Sequence, residues 1–457
     1  MKKKPNIVIL YPDSLGANAV HHFGCQAACT PNIDKLADEG VDFWNCTSQN
    51  PVCMPSRASL LTGKYVSVHG VYDNNVIEYP VGHQTFQNCV QDAGYKTAYF
   101  GKTHSVNQAD WDDVFDLYPD YNAYLQKQGI DITYPEKFPV EQLNAGFSKI
   151  PAKDFSEVVL GNLAVDYIEK AKDIENPFLL FMSFEAPHSP WSLPEEYHHF
   201  YHPEKIELLQ IPETDEINKP GYRFEYHQKR SSIADTDDKL IHAIAIYHAL
   251  TSIVDEQIGR IIDAIDQTGQ REDTIIILLA DHGDHLGNHR TMGKCLSLEE
   301  DLIRVPLIIN SHSLPDHSSH ALVESIDIFP TIMELAGIEK PSGLQGKSLL
   351  PLLSKRDAVW NRYYSFSEEH YDPYPGQISV RNLTHKCIIN SEGFEELYNL
   401  QKDPHEWKNL AAEPDMTETL TELKNEIIKF NFKHIDKTLH ASSNWVQDFM
   451  QPGSSRY

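Results

Sequence analysis

The stretch Thr274-Ile275-Ile276-Ile277-Leu278-Leu279-Ala280-Asp281-His282-Gly283-Asp284 decides how this chain is read. An unbroken apolar, β-branched run without polar alternation has the profile of a strand covered on both faces, as in a parallel sheet. The run opens into Asp281, His282 and Asp284. Adjacent ionisable groups at the end of a buried strand cost several kcal/mol each unless a cation or a partner compensates them. A bound divalent metal is the economical answer, with Asp281 and His282 as candidate ligands.

Outward from this strand the same grammar repeats. Leu240 to Thr268 carries Ile244, Leu250, Ile253, Ile258, Ile261 and Ile265 roughly at helical spacing, so a long helix feeds the strand. Asn6 to Tyr11 is another buried strand and ends in Pro12-Asp13-Ser14. Tyr95 to Phe100 delivers Gly101-Lys102-Thr103-His104, and Phe178 to Phe184 delivers Glu185-Ala186-Pro187-His188. In open α/β sheets, ligands bind at the carboxyl edge of the strands. A lone Asp or His at such an edge is more often structural, but here several strands end in a reactive polar group. Lys102 and His104 are two apart and point to one side of an extended segment, a fixed charge beside a proton carrier.

Between these strands, Thr30 to Gly40 reads as a helix capped by Thr30, with Pro31 in its first turn and Gly40 as its stop. Val41 to Thr47 is a further strand, and Thr85 to Asp92 and Val158 to Lys172 are helical. The fold class is therefore α/β, a large and mostly parallel sheet sandwiched by helices. Ser105 to Phe155 and Trp191 to Arg230 are irregular insertions. The second reads as a surface lid with His198, His199 and His202 solvated or stacked. From about Asp357 short alternating strands follow (Tyr363–Phe366, Gln377–Arg381, His385–Asn390), then a helix from Thr417 to Phe430. The expected division is a catalytic α/β domain over 1–356 and a small C-terminal domain over 357–457, with an antiparallel sheet, a helix and a tail.

Composition narrows the function classes. The 457 residues carry 39 basic and 66 acidic side chains, a formal charge of −27, which repels nucleic acid. An anionic substrate is repelled too, unless local cations override the global field. Seven cysteines without regular spacing do not read as a disulfide framework, and Cys25 and Cys29 lack the second pair that a zinc site needs. No run approaches the roughly 20 apolar residues of a membrane span. The first residues lack a signal-peptide core, so the expected compartment is cytoplasmic, or periplasmic if a leader was removed.

The least ordinary segment is Pro51-Val52-Cys53-Met54-Pro55-Ser56-Arg57-Ala58-Ser59-Leu60-Leu61-Thr62-Gly63. Pro55 suits a first helical turn, so Cys53 stands just ahead of a helix N-terminus, where free N–H groups and the dipole favour an anion. The segment resembles the Cys-x-Pro-Ser-Arg signature of the type I sulfatases, in the alkaline phosphatase superfamily. The resemblance extends to Thr30-Pro31-Asn32-Ile33-Asp34, Gly101-Lys102-Thr103-His104, Pro187-His188-Ser189-Pro190 and Asp281-His282-Gly283-Asp284 with Lys294, all in family order.

The resemblance implies a sulfate-ester hydrolase acting on a sulfated sugar or another small organic sulfate. It implies that a separate maturation enzyme oxidises Cys53 to formylglycine. A divalent cation, Ca²⁺ first and Mg²⁺ or Mn²⁺ as alternatives, would sit on Asp13, Cys53, Asp281 and His282. Arg57, Lys102, His104, His188 and Lys294 would complete the catalytic set. His188, Lys294, Asp73 and Asn75 would bind substrate, the last two from the loop Val71–Asn75. Two departures weaken calcium specifically: Ser14 stands where many relatives carry a second acid, and His282 where many carry an amide. Two other readings stay open: a phosphonate monoester or phosphodiester hydrolase on the same site, and a non-catalytic binder in which Cys53 remains a thiol.

Overall fold

The computed structural model describes residues 4–74, 83–103, 116–117, 121–139, 142–213, 215, 219–229, 233–294 and 296–434. Its strands, in chain order, are β1 (Asn6–Asp13), β2 (Val41–Thr47), β3 (Lys96–Gly101), β4 (Asp116–Leu117), β5 (Ala145–Ser148), β6 (Phe178–Pro187) and β7 (Trp191–Pro194). They continue with β8 (Thr274–Leu279), β9 (Arg304–Ser311), β10 (His317–Glu324), β11 (Ser365–Glu369), β12 (Gln377–Arg381), β13 (His385–Asn390) and β14 (Glu395–Asn399).

One eight-stranded sheet has the order β10-β2-β9-β8-β1-β6-β3-β4. Strands β8, β1, β6, β3 and β4 run parallel to one another. Strand β9 is antiparallel to both neighbours, and β2 and β10 are parallel to each other. The carboxyl ends of β2, β8, β1, β6 and β3 therefore share one edge. Every residue of β1 and β8 is buried, as their unbroken apolar runs require. The helices Ser156–Ala171 and Asp237–Gln267 pack on each other and on β6, and their apolar stripes (Leu160, Ala164, Ile168; Ile246, Ile253, Ile261) join the main core.

The helix Pro31–Asp38 forms where expected, but its cap differs. The Thr30 hydroxyl donates to Asp34 and accepts from the His21 N–H, so it serves no helix N–H. Asp255, from the long helix, accepts from the backbone of Asn32 and Ile33 instead. A carboxylate can take this place because free N–H groups and the helix dipole favour negative charge there.

Both insertions carry regular structure. Strand β5 pairs with β7 in a small parallel sheet, and a helix spans Tyr121–Lys127. In the second insertion His198 stacks on Phe147, His199 lies against Phe200, and His202 faces Glu204. These histidines are thus stacked or solvated, as the sequence predicts.

Strands β11 to β14 form a separate four-stranded antiparallel sheet. The helix Thr417–His434 lays Leu420, Leu423 and Ile427 on Val380, Cys387 and Leu397. This sheet touches the catalytic segment directly. Asn50 Nδ2 donates to the Glu368 carbonyl at 2.6 Å while its Oδ1 accepts from the Val52 N–H at 2.7 Å. The Leu296 N–H donates to Glu369 at 2.6 Å.

Candidate active site

Strand order decides what meets at the carboxyl edge. Asp281 and His282 follow β8, Asp13 ends β1, His188 follows β6 and Lys102 follows β3, four neighbours in space. Pairing between β1 and β6 shifts register between Pro12 and Asp13, an irregularity that re-aims the last side chain. Two glycines let the edge close. A Cβ at Gly101, whose φ is +105°, would sit 1.9 Å from the Ser183 carbonyl oxygen. One at Gly283 would meet the Asp301 carbonyl oxygen at the same distance.

Cys53 is the first residue of the helix Cys53–Thr62 rather than the residue ahead of it, and Val52 takes the cap position. Its orphan N–H groups are partly served from outside: Asn74 Oδ1 accepts from the Met54 N–H at 2.9 Å. The loop that carries Asp73 is thereby tied to the residue after the cysteine. Asp73 itself is half-buried there, whereas Asn75 and His104 lie outside the described residues.

Asp13, Cys53, Asp281 and His282 are all buried, and each offers one ligand atom within 4.8 Å of the others. Cys53 Sγ is 3.4 Å from His282 Nε2 and 3.8 Å from Asp13 Oδ1. His282 Nδ1 lies 2.9 Å from the Gly283 carbonyl, which can only accept, so Nδ1 carries the hydrogen. The Nε2 lone pair therefore faces the cluster, the orientation a metal ligand needs. Lys294 Nζ occupies this space, 2.5 Å from His282 Nε2 and 2.7 Å from Cys53 Sγ. An ammonium stands where these donors can hold a cation.

Arg57 ties the two acids together. Its Nε donates to Asp281 at 3.0 Å, its Nη2 to Asp13 at 2.9 Å and its Nη1 to Ser183 Oγ at 2.7 Å. The guanidinium lies over the Tyr11 ring, 5.0 Å from its centroid. Lys102 Nζ is 2.9 Å from Asp13 Oδ2 and 4.0 Å from Cys53 Sγ. Three fixed cations thus face two carboxylates, which makes the pocket positive inside an acidic protein.

The shifts follow from burial and charge. Burial and Cys53 push Asp13 upward, but the fixed charges of Lys102 and Lys294 help hold it well below the usual carboxylate value. Asp281 is raised, first by burial and then by Asp13. His188 Nδ1 donates to the Ser189 carbonyl at 2.5 Å, so its Nε2 lone pair is the one turned to Asp13, 3.9 Å away. Burial, Lys102 and Lys294 lower the His188 pKa, which leaves its ring neutral at neutral pH.

Ser14 uses its polar groups elsewhere. At φ 67° its N–H donates to Asp281 Oδ1 at 2.9 Å and its hydroxyl to the Gly283 carbonyl at 3.1 Å. Several supports escaped the sequence reading. Ser48 and Ser56 both donate to the Asp281 carbonyl, at 2.5 and 2.6 Å, and Ser183 holds Arg57. A single serine inside the apolar run of β6 was the available signal for Ser183.

Residues 5–338 match the family described as Sulfatase, and residues 287–433 match that described as N-sulphoglucosamine sulphohydrolase, C-terminal. The chain is 31% identical to the uncharacterized sulfatase YidJ of Escherichia coli over 94% of its own length and 87% of that protein's. It is 27% identical to an N-acetylglucosamine-6-O-sulfatase of Bacteroides thetaiotaomicron, over 92% and 85% of the two chains. The solved phosphonate monoester hydrolase of Agrobacterium radiobacter superposes with a TM-score of 0.82 at 23% identity, over 96% and 97% of the chains, and shares the fold. The match along most of its length settles the classification: this chain belongs to the sulfatase family, hydrolases of sulfuric esters.

Proposed function

We propose that this protein hydrolyses the sulfate ester of a sulfated sugar, using a formylglycine made from Cys53 and one divalent cation. The observation that carries the reading is the buried meeting of Asp13, Cys53, Asp281 and His282 with three cations. Sulfated-sugar enzymes among the relatives, such as the N-acetylglucosamine-6-O-sulfatase, support the substrate class. Asp13, Asp281, His282 and the oxygen of the modified residue 53 would hold the cation, with Ca²⁺, Mg²⁺ and Mn²⁺ all compatible with this donor set. A formylglycine hydrate at residue 53 would supply the attacking hydroxyl, and a cation held by these residues would supply Lewis-acid chemistry to that hydroxyl and to the sulfate.

The chain's own residues do the rest. Arg57 fixes both carboxylates, so Asp13 and Asp281 present one oxygen each to the centre. Lys102 and Lys294 balance the sulfate charge. Lys294, with three donor hydrogens 2.7 Å from the residue-53 side chain, binds the bridging oxygen and protonates the leaving alcohol. His188, neutral with its Nε2 lone pair turned inward, accepts a hydrogen bond from substrate and is the weaker candidate for the acid. His104 and Asn75 keep the proton-transfer and substrate-binding roles that the resemblance implies, and Asp73 sits in the loop joined to Met54. On this reading residues 1–356 carry the chemistry, and residues 357–457 buttress it through Glu368 and Glu369.

Two measurements test the proposal. Mass analysis of the Cys53 peptide from the native host should find the aldehyde, whereas an unmodified thiol would leave only a binder. Rates on an aryl sulfate should exceed those on an aryl phosphodiester or phosphonate monoester; the reverse order would move the chemistry to phosphorus.

A further inference from the structure

A second buried cluster lies farther along the loop that follows β8. His285, His289 and Glu299 each offer a ligand atom, all within 4.8 Å of one another. His285 is 2% exposed, and among the described residues neither of its ring nitrogens has a hydrogen-bond partner. Burying a polar ring without a bond leaves its desolvation uncompensated, so an imidazole of this kind inside a protein calls for a ligand. It faces a cavity of about 40 Å³, lined also by His227, Arg223, Lys219 and Thr291. That volume suits a single ion or a water.

The distances fit a metal. In a tetrahedral zinc site with bonds of about 2.1 Å, donor atoms stand about 3.4 Å apart. Glu299 Oε2 is 3.6 Å from His285 Nδ1 and 3.3 Å from His289 Nε2. The two oxygens of Glu299 divide the work, because Oε1 faces Arg223 at 3.2 Å and Lys219 at 3.5 Å. Asp215 supplies the outer support. His289 Nδ1 is 2.8 Å from both Asp215 oxygens, which only accept, so the Nε2 lone pair is left for Glu299's side of the cavity. A carboxylate behind the ligating imidazole is the usual arrangement for orienting it toward zinc. Lys219 shares that carboxylate at 2.8 Å and lies 3.0 Å from the same Nδ1.

We propose that His285, His289 and Glu299 form a second metal site, separate from the sulfatase cluster, that takes Zn²⁺ and anchors the loop carrying Lys294. Two imidazoles and a carboxylate are a zinc donor set, with a fourth position left to water. The site closes a loop already pinned at its ends, where the His285 N–H donates to the Gly293 carbonyl and the Gly293 N–H to Asp284. Lys294 is the next residue. The proposal stands apart from the reaction assigned above and survives if that assignment fails.

The test uses the full chain carrying Asp13→Asn and Cys53→Ala, which disables the first cluster. After loading with zinc chloride and dialysis, elemental analysis should find one zinc per chain. Adding His285→Leu, which breaks no hydrogen bond of the ring, should reduce this to below about a tenth. Cobalt(II) in place of zinc should give the visible absorption of a tetrahedral site, lost in the same variant. Hydrogen exchange across 285–293 should slow with zinc only when His285 is present. If His285→Leu does not fold, His289→Gln carries the same comparison. No zinc in the folded background protein, or an equal amount with and without His285, would overturn the proposal and leave a proton between Asp215, His289 and Glu299.

Discussion

The loop after β8 serves two carboxylate–imidazole clusters, and they are built on opposite plans. Around Asp13 and Asp281 each carboxylate has a named cation, the imidazole has one nitrogen anchored by a carbonyl, and a lysine fills the centre. Around Glu299 one oxygen is neutralised, while neither ring nitrogen of His285 has a hydrogen-bond partner among the described residues. Charge saturation at the first cluster organises groups for an incoming anion, and the Lys294 ammonium, now held by Cys53 and His282, is the donor placed to meet it. The incomplete second cluster is organised for something smaller and positive. Burial is common to both, so hydrogen-bond completeness rather than burial distinguishes the two clusters.

The sharpest way to break this contrast is at Cys53. Cys53→Ala should lower sulfate-ester turnover at least ~10³-fold while leaving zinc content at the second cluster unchanged, because removing a nucleophile typically costs that much or more. Turnover near wild type would remove the first cluster from the chemistry altogether. Asp281→Asn comes next. It removes the negative charge and turns the oxygen that accepts from Arg57 Nε into an NH2 donor, while the remaining oxygen can still accept from the Ser14 and His282 N–H groups, so the first-site metal and at least ~10²-fold in activity should be lost together. Leaving Arg57 short of a buried partner should also cost about 3–5 kcal/mol in denaturant melts. Normal metal content in that variant would refute the ligand assignment.

Lys294→Met addresses the residue that both clusters share through their loop. As the proton donor it should be worth about 10²–10⁴-fold on esters of poorly acidic alcohols, shrinking toward unity for nitrophenyl sulfate. A defect independent of the leaving group would assign Lys294 to sulfate binding and return the acid role to His188.

The two clusters also differ in how far sequence exposes them. Asp13, Lys102, His188 and Asp281 each follow an apolar run that has to be a strand, and parallel strands deliver their ends to one edge, so their meeting follows from the pattern. Cys53 and Arg57 sit on one short helix whose start the Pro55 spacing announces, although the cap at Val52 and Asn74 lay beyond that reading. The second cluster has no such logic. His285 and His289 come from an irregular turn in which His289 has φ 52°, and Asp215 and Lys219 come from an insertion with no periodicity. Glu299 is brought in by a fold-back that no local propensity encodes. The Thr30 cap fails for a related reason: its replacement, Asp255, is a tertiary partner more than 200 residues away.

The smallest effect on activity is expected at another buried imidazole, His69, which tests whether burial with both nitrogens served keeps a histidine neutral without any metal. Its Nε2 meets Ser59 Oγ at 2.9 Å and its Nδ1 accepts from the Val71 N–H at 3.1 Å, so both nitrogens are served. Burial, then His83 and Lys64, lower its pKa to about 3. Above pH 6.5 the ring is neutral in both folded and unfolded chains and contributes no pH dependence. As the pH falls through 6.5 the unfolded chain takes up a proton that the folded one refuses, so stability is lost progressively down to about pH 3. At about 1.4 kcal/mol per unit, acidification from pH 6.5 to 4.5 should cost about 2–3 kcal/mol through His69. His69→Gln should begin about 1 kcal/mol less stable at pH 7, from its weakened hydrogen bonds, and then lose less on acidification. Its turnover at pH 7 should stay within about two-fold of wild type. Part of the acid slope should persist in the variant, because burial also lowers His248, to about 4. Denaturant midpoints at pH 7 and pH 5 decide the matter: parallel losses in wild type and variant would mean that His69 already exchanges its proton in the fold, and that a complete hydrogen-bond set does not suffice to hold a buried imidazole neutral.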